Sequence, residues 1–141
     1  MGDLTNQAII NAPPEAVFDF VGNPHNAPRY ISSITAIISG PDGAPAVGQT
    51  WQAEANFLGR QSNIVLRLQD LRPPNLVRFT IEGEPQAALS LYITPEGNGT
   101  QTNVALTLDV PSVPSVFLNA FMNNILTMDI ARLKSILESQ A

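Results

Sequence analysis

Three side chains of this sequence have the chemistry for acid–base work: His25, Tyr30 and Glu54. His25 is the only histidine and follows Asn23-Pro24 in a polar turn, so a solvated surface position is the favoured interpretation. Glu54 lies on the polar side of a predicted strand and is expected to face water; a bulge that turned it inward would make it a candidate acid or base. Tyr30 joins an apolar ring to a polar tip, which suits a cavity mouth and equally suits packing against a sheet.

Asn124 is a candidate for fixing the orientation of a ligand. It lies about one helical turn from Phe121 and Met128, and its amide could hydrogen bond to a ligand carbonyl or hydroxyl. Asparagine is a mediocre helix former, so its place in the last helix is of interest, although surface exposure is the favoured alternative.

Other catalytic patterns are missing from the sequence. One histidine and no cysteine exclude the common zinc sites, and there is no Gly-rich phosphate loop, nucleophile elbow or HExxH motif. Asp109 and Asp129 have no acidic neighbour in sequence and are expected to be ordinary solvated groups. A hydrolase or metalloenzyme therefore has almost no support, and we expect neither a metal nor a cofactor.

Charge and composition limit the partners. The chain has 141 residues, of which 44% are hydrophobic and 13% charged, and a formal net charge of −5. This charge, with scattered Lys and Arg, opposes nucleic-acid binding. We expect no signal peptide and no stable membrane insertion, a cytoplasmic location, and a monomer or weak homodimer.

The elements that must position these residues follow a simple order. Without repeats, low-complexity tracts or linkers, residues 1–141 are interpreted as one domain. A first strand, Leu4–Ile10, precedes a helix from Pro14 to about Val21 and a second short helix from Pro24 to Ser32, and another helix follows Pro111 to the chain end. Six strands separated by short Gly-, Pro- and Asn-rich connections lie between, and hairpins of this kind make neighbouring strands antiparallel; they are Ile34–Ser39, Gly48–Leu58, Gln61–Leu71, Leu76–Glu82, Ala87–Thr94 and Gln101–Asp109.

Strand alternation predicts an aliphatic inner wall. One face combines bulky Trp51 and Phe57 with small Ala53 and Ala55, which leaves room for a pocket or for a close-lying helix. The other inner faces contain Ile64, Leu66 and Leu68; Val77, Phe79 and Ile81; Ala87, Leu89, Leu91 and Ile93; Val104, Leu106 and Leu108. The last helix is expected to turn toward this wall with Val113, Phe117, Phe121, Ile125, Met128, Ile130, Leu133 and Leu137.

The opening of the chain has the sequence IINAPPEAVFDFV from Ile9 to Val21, followed by Asn23-Pro24 and Pro28-Arg29-Tyr30. In these residues it resembles the START-like, Bet v 1-like superfamily (SRPBCC), which includes polyketide cyclase/dehydrase relatives. The resemblance implies an α+β helix-grip fold, β-α-α-β6-α, in which a curved seven-stranded antiparallel sheet surrounds a long C-terminal helix. Members of that superfamily hold a ligand between sheet and helix, and they include carriers, receptors and cyclases, so the fold alone does not decide the activity.

Two functions stay open at this point, with a third behind them. The favoured one is binding or carrying a small hydrophobic ligand, such as a lipid, isoprenoid or polyketide, between the sheet and the C-terminal helix. The alternative is a metal-free polyketide cyclase/dehydrase-like enzyme, and the third is docking of a protein partner on an exposed apolar patch. The predicted ligand-binding residues are Tyr30, Trp51, Ala53, Ala55, Phe57, Leu66, Phe79, Leu91, Phe117, Phe121, Asn124 and Met128.

Overall fold

Helices and strands follow one another in the predicted order. The structure is a computed structural model that describes residues 2–57, 59–83 and 86–139. Its elements are β1 (Gly2–Ile10), α1 (Pro14–Val21), a 3₁₀ turn (Pro24–Asn26), α2 (Ala27–Tyr30), β2 (Ile34–Ser39), β3 (Thr50–Phe57), β4 (Arg60–Arg72), β5 (Leu76–Glu82), β6 (Ala87–Glu96), β7 (Gln101–Val110) and α3 (Ser115–Ser139). The predicted last residues of β3 (Leu58) and of the final helix (Gln140 and Ala141) lie outside the described residues.

The sheet has seven strands in the order β1-β7-β6-β5-β4-β3-β2, and every neighbouring pair is antiparallel. Register shifts interrupt the β2–β3 pairing twice and the β4–β5 pairing once, between Leu68 and Asp70. Shifts of this kind bend strands and increase their twist, which helps the sheet to curve. The predicted α+β helix-grip architecture is confirmed.

Helix α1 begins and ends where the sequence predicts, but the second helix is shorter than predicted. Pro28 has no amide hydrogen to bond the Pro24 carbonyl oxygen four residues earlier, and its ring would clash with that carbonyl, so the segment cannot form one continuous α-helix. It divides into the 3₁₀ turn, where the Asn23 side chain accepts a hydrogen bond from the His25 amide at 3.1 Å, and a single turn of α2 that begins at Ala27. The chain is extended at Ile31, and a turn at Ser32 and Ser33, closed by a 3.0 Å hydrogen bond from the Ile34 amide to the Ile31 carbonyl oxygen, leads into β2.

The strand faces are as predicted. Leu66, Leu68, Phe79 and Leu91 are each at most 1% exposed. The pattern Trp51, Ala53, Ala55 also points inward, while Gln52 and Asn56 are exposed. Alternation along β3 to β7 therefore locates the core correctly.

Helix α3 packs mainly against β1, and the predicted inward face of its first half is wrong. Phe117, Phe121 and Met128 are 55%, 59% and 62% exposed, and Asn124 is exposed as well. The residues that α3 buries are Leu118, Met122, Leu126, Asp129, Ile130, Leu133 and Leu137. The rest of the predicted face is confirmed: Val113 and Ile125 are half-buried and pack against the core, and Ile130, Leu133 and Leu137 are buried.

Polar contacts with β1 and with Asn11, the residue that follows it, accompany this orientation of the helix. Asn6 Nδ2 donates to Thr127 Oγ1 at 3.1 Å, Lys134 Nζ donates to the Ile9 carbonyl oxygen at 2.7 Å, and Glu138 accepts from the Asn11 amide at 2.9 Å. These contacts hold one side of α3 against β1 over more than two turns. Within the described ranges, no helix is long and apolar enough to cross a membrane.

Candidate functional site

An apolar pocket opens to the surface at one end of the sheet. Its cavity volume is about 50 Å³. Its walls come from the α2–β2 connection and from strands β2 to β6, and consist of Ile31, Ser33, Ile34, Ala55, Phe57, Ile64, Ile81, Ala87 and Leu89. Eight of these nine residues are hydrophobic, so the pocket suits an apolar, uncharged group.

Two cross-strand pairs form opposite parts of this wall. Ala55 of β3 lies opposite Ile34 of β2, and Ala87 of β6 lies opposite Ile81 of β5. Side chains directly opposite each other across antiparallel strands are in contact, so each alanine leaves a gap beside a larger isoleucine. The two alanines, one on β3 and one on β6, therefore create the space.

The pocket lies beside the position predicted for it. Of the predicted ligand-binding residues, Ala55 and Phe57 line it. Tyr30, Trp51, Ala53, Leu66, Phe79 and Leu91 are buried in the core around it, and Phe117, Phe121, Asn124 and Met128 are exposed on α3. The described lining includes no α3 side chain, so the predicted position between the sheet and the C-terminal helix does not match this pocket.

His25 and Glu54 lie outside the pocket, as favoured from the sequence. His25 Nε2 is 3.1 Å from the Pro41 carbonyl oxygen and 3.2 Å from Asp42 Oδ1, at the surface. Glu54 Oε2 accepts a hydrogen bond from Gln61 Nε2 at 3.2 Å on the outer side of the sheet. Neither side chain contributes an acid or base to the interior.

Tyr30 is an interior residue rather than a cavity-mouth residue. It is 0% exposed, and its ring lies 5.8 Å from the Phe20 ring, centroid to centroid. Burial, and then the nearby Asp129 carboxyl, raise the pKa of its hydroxyl above the usual value. That hydroxyl has no hydrogen-bond partner among the described residues.

Asp129 is the functional candidate that sequence reasoning missed, and the expectation that it is solvated is wrong. It is 1% exposed, and burial raises the pKa of its carboxyl, although hydrogen bonds from Ser32 and the charge of Arg132 act in the opposite direction. Its Oδ1 atom has no partner in the part of the chain that is described. The available signal is helical spacing, since Asp129 follows Leu126 by three residues and precedes Leu133 by four.

Sequence comparison finds one family. A family model described as polyketide cyclase / dehydrase and lipid transport matches residues 1–138. A comparison with functionally curated proteins finds no significant match.

Many solved structures match this architecture, and three of them illustrate the similarity. A START superfamily protein from Mycobacterium smegmatis superposes with a TM-score of 0.80 at 14% identity, and the match covers 100% of both chains. The Zhui aromatase/cyclase from Streptomyces sp. R1128 gives 0.74 at 14% identity, with 98% of this chain and 94% of that chain covered. The Aha1 dimer from Colwellia psychrerythraea gives 0.67 at 22% identity, with 98% and 97% covered. Similarity at these identities shows the fold alone.

Proposed function

The chain belongs to the polyketide cyclase / dehydrase and lipid transport family, and from that premise we propose that it binds a small, uncharged hydrophobic molecule in the pocket between the α2–β2 connection and strands β3 to β6. The observation that carries this proposal is the surface-accessible recess with eight hydrophobic side chains and one serine in its wall.

The apolar wall indicates that the recess serves to bind a ligand, rather than being a packing defect of the folded core. A gap in a core weakens packing, because the atoms that line it lose contacts, and it is retained at a cost to stability. Here the gap reaches the surface and no charged side chain belongs to its described lining. An apolar molecule that enters it removes apolar surface from water and restores the missing contacts.

The recess must widen to hold a whole organic molecule. Its 50 Å³ are well below the roughly 150 Å³ of a cavity that accepts benzene. Phe57 and Ile81 are only half-buried, and both lie in the pocket wall, so their side chains can rotate outward at modest cost. Lipid, isoprenoid and polyketide-like molecules all have the required apolar character.

Cyclase-like catalysis is the second candidate, and the buried Tyr30 and Asp129 favour it. An enzyme of this kind needs a positioned acid or base that touches its substrate. These two residues are outside the described pocket lining, whereas the apolar wall is the lining itself. Binding therefore accounts for more of the observed geometry than catalysis does.

A direct test is a titration with naphthalene followed by amide chemical shifts in NMR. We expect saturable shifts at Ile31, Ser33 and Ile34 in the natural protein. Ala55→Leu fills the recess and should abolish these shifts, and Ala87→Leu does the same from the opposite wall. Ala88→Leu is the matched control, because Ala88 is the next residue of β6 and points to the other face.

Two results would refute binding at this site. One is the absence of any saturable shift in the natural protein, which requires no variant. The other is a set of shifts that persists unchanged when either alanine of the wall is replaced.

A further inference from the structure

Three buried polar atoms lack a partner among the described residues: the Tyr30 hydroxyl, Asp129 Oδ1 and Asp109 Oδ1. Asp109 lies apart from the other two, on the side of β7 opposite to the buried Leu108 and Val110. Tyr30 is 0% and Asp129 is 1% exposed, so neither atom is compensated by bulk water. Buried polar groups without a partner are rare in native proteins, and each one calls for an explanation by function or by a bound molecule. Two such atoms close to each other call for one explanation rather than two.

The two groups belong to one site. Tyr30 ends α2, Asp129 lies in the middle of α3, and these helices pack against each other. Asp129 is near enough for its charge to act on the Tyr30 hydroxyl, yet the two side chains form no hydrogen bond. A third group placed between the Tyr30 hydroxyl and Asp129 Oδ1 would hydrogen bond to both.

The same chain segment connects this site with the pocket. Ser32 hydrogen bonds to Asp129, whereas its neighbours Ile31 and Ser33 line the apolar recess. Residues 30 and 32 thus turn toward α3, and residues 31, 33 and 34 turn toward the pocket. Because Tyr30 and Asp129 lie outside the described lining of the recess, a ligand reaches the two polar atoms only if the side chain of Ile31 moves aside.

We propose that Tyr30 and Asp129 are the polar end of the ligand site and bind a hydroxyl group carried by the hydrophobic ligand. This inference rests on the proposed function and specifies its ligand class as an apolar body with a neutral alcohol or phenol.

A hydroxyl group fits the two partners better than other polar groups do. It accepts a hydrogen bond from the Tyr30 hydroxyl and donates one to Asp129 Oδ1, so both atoms gain a partner. A carboxylate on the ligand would be repelled by Asp129. A ligand cation is not needed, because the charge of Arg132 already acts on the Asp129 carboxyl.

The test compares three probes with the same ring system: naphthalene, 2-naphthol and 2-methoxynaphthalene. The first has no polar group, the second donates and accepts, and the third only accepts. We expect the natural protein to bind 2-naphthol about tenfold more tightly than naphthalene, and 2-methoxynaphthalene less tightly than 2-naphthol.

Substitutions of Tyr30 and Asp129 test whether these residues cause the preference for 2-naphthol over naphthalene. Tyr30→Phe and Asp129→Leu should each lower the affinity for 2-naphthol about tenfold, toward that of naphthalene, and leave naphthalene binding unchanged. Tyr92→Phe is the matched control, because Tyr92 is exposed and bonds to Arg78 on the outer side of the sheet. Thermal unfolding confirms that each variant is folded.

The outcomes separate this inference from the proposed function. Binding of naphthalene without any preference for 2-naphthol overturns the inference and leaves the apolar pocket standing. Equal weakening of both probes by Tyr30→Phe overturns it too, since the hydroxyl would then act only on the structure. Failure of all three probes to bind the natural protein refutes both proposals.

Discussion

The Tyr30 hydroxyl and Asp129 Oδ1 are buried near each other between α2 and α3 and have no hydrogen-bond partner in the described structure. A buried polar group without a partner lowers the free energy of unfolding by about 1–3 kcal/mol, because its hydration is lost and not replaced. The ligand-free fold therefore retains two polar atoms, the Tyr30 hydroxyl and Asp129 Oδ1, that gain no hydrogen bond from it. Their presence is explained if a bound molecule supplies the missing partner.

Replacing Tyr30 by Phe should stabilise the protein without ligand. Tyr30→Phe keeps the ring that packs on Phe20 and removes only the uncompensated hydroxyl, so we expect the free energy of unfolding to rise by roughly 1 kcal/mol. Urea unfolding measures this change. Tyr92→Phe serves as the control and should be neutral or slightly destabilising, since it removes the 3.1 Å bond from Arg78 Nη2 to the Tyr92 hydroxyl. A marked loss of stability in Tyr30→Phe would mean that the hydroxyl has a partner in solution.

Replacing Asp129 by Asn should change how stability depends on pH. Burial raises the pKa of Asp129 in the folded state, so the folded protein holds this proton more tightly than the unfolded chain does. Below the ordinary pKa of aspartate, near 4, both states are protonated and the carboxyl costs nothing extra. As the pH rises from there through the raised pKa, the unfolded chain ionises first, and the natural protein loses stability relative to Asp129→Asn.

Urea unfolding of both proteins at pH 4 and pH 7 gives this comparison. The groups around Asp129 that could interfere, Tyr30 of α2, Ser32 and Arg132, are the same in both proteins. The lowered pKa values of Glu82 and Glu138 also act equally on both, and cancel in the difference. A stability difference that stays constant over this range would show that Asp129 ionises as in the unfolded chain.

Replacing Gly40 by a residue with a side chain should destabilise the protein, because the side chain would collide with Trp51. Its φ of 148° is unfavourable for other residues, and an added Cβ would overlap Trp51 Cδ1. Trp51 is fixed in the core by a hydrogen bond from its Nε1 to the Pro41 carbonyl oxygen at 2.9 Å, so it cannot easily move away. We expect Gly40→Ala to cost about 2–3 kcal/mol and to shift the tryptophan fluorescence.

The matched variant is Gly43→Ala, three residues further along the same connection. Its φ is 88°, but an added Cβ meets nothing within 4 Å. Only the backbone strain remains, which we expect to cost about 1–2 kcal/mol and to leave the fluorescence unchanged. Equal effects of both variants on stability and fluorescence would mean that Trp51 yields to the added methyl group.

The strands could be predicted from the sequence because their signals are local. Ile34–Ser39 and Leu76–Glu82 were predicted with the bounds that the structure shows, since Gly, Pro and Asn mark the turns and alternation marks the faces. Ala55 and Phe57 could be assigned to a pocket wall in the same way. The position of the pocket could not be predicted from the sequence, because it depends on how the α2–β2 connection lies over strands that are distant along the chain.

Helix α3 shows what local patterns leave undecided. Two stripes fit a helical period in its first half, Phe117-Phe121-Met128 and Leu118-Met122-Leu126-Asp129, and the first is the more hydrophobic. The structure buries the second, where polar contacts with Asn6 and Ile9 of β1 hold the helix. Which stripe is buried depends on contacts with residues more than a hundred positions away. The burial of Asp129 depends on the same contacts.

Alanine substitutions on α3 test this orientation. Leu126 is 3% exposed and Phe121 is 59% exposed, about 1.4 turns apart on the same helix. We expect Leu126→Ala to lower the free energy of unfolding by about 2–4 kcal/mol, because it leaves a cavity in the core. Phe121→Ala removes a larger side chain but only from the surface, and should change stability by no more than about 0.5 kcal/mol. Urea unfolding distinguishes the two stripes, since the reverse order of these effects would place Phe121 in the core and move Asp129 out to solvent.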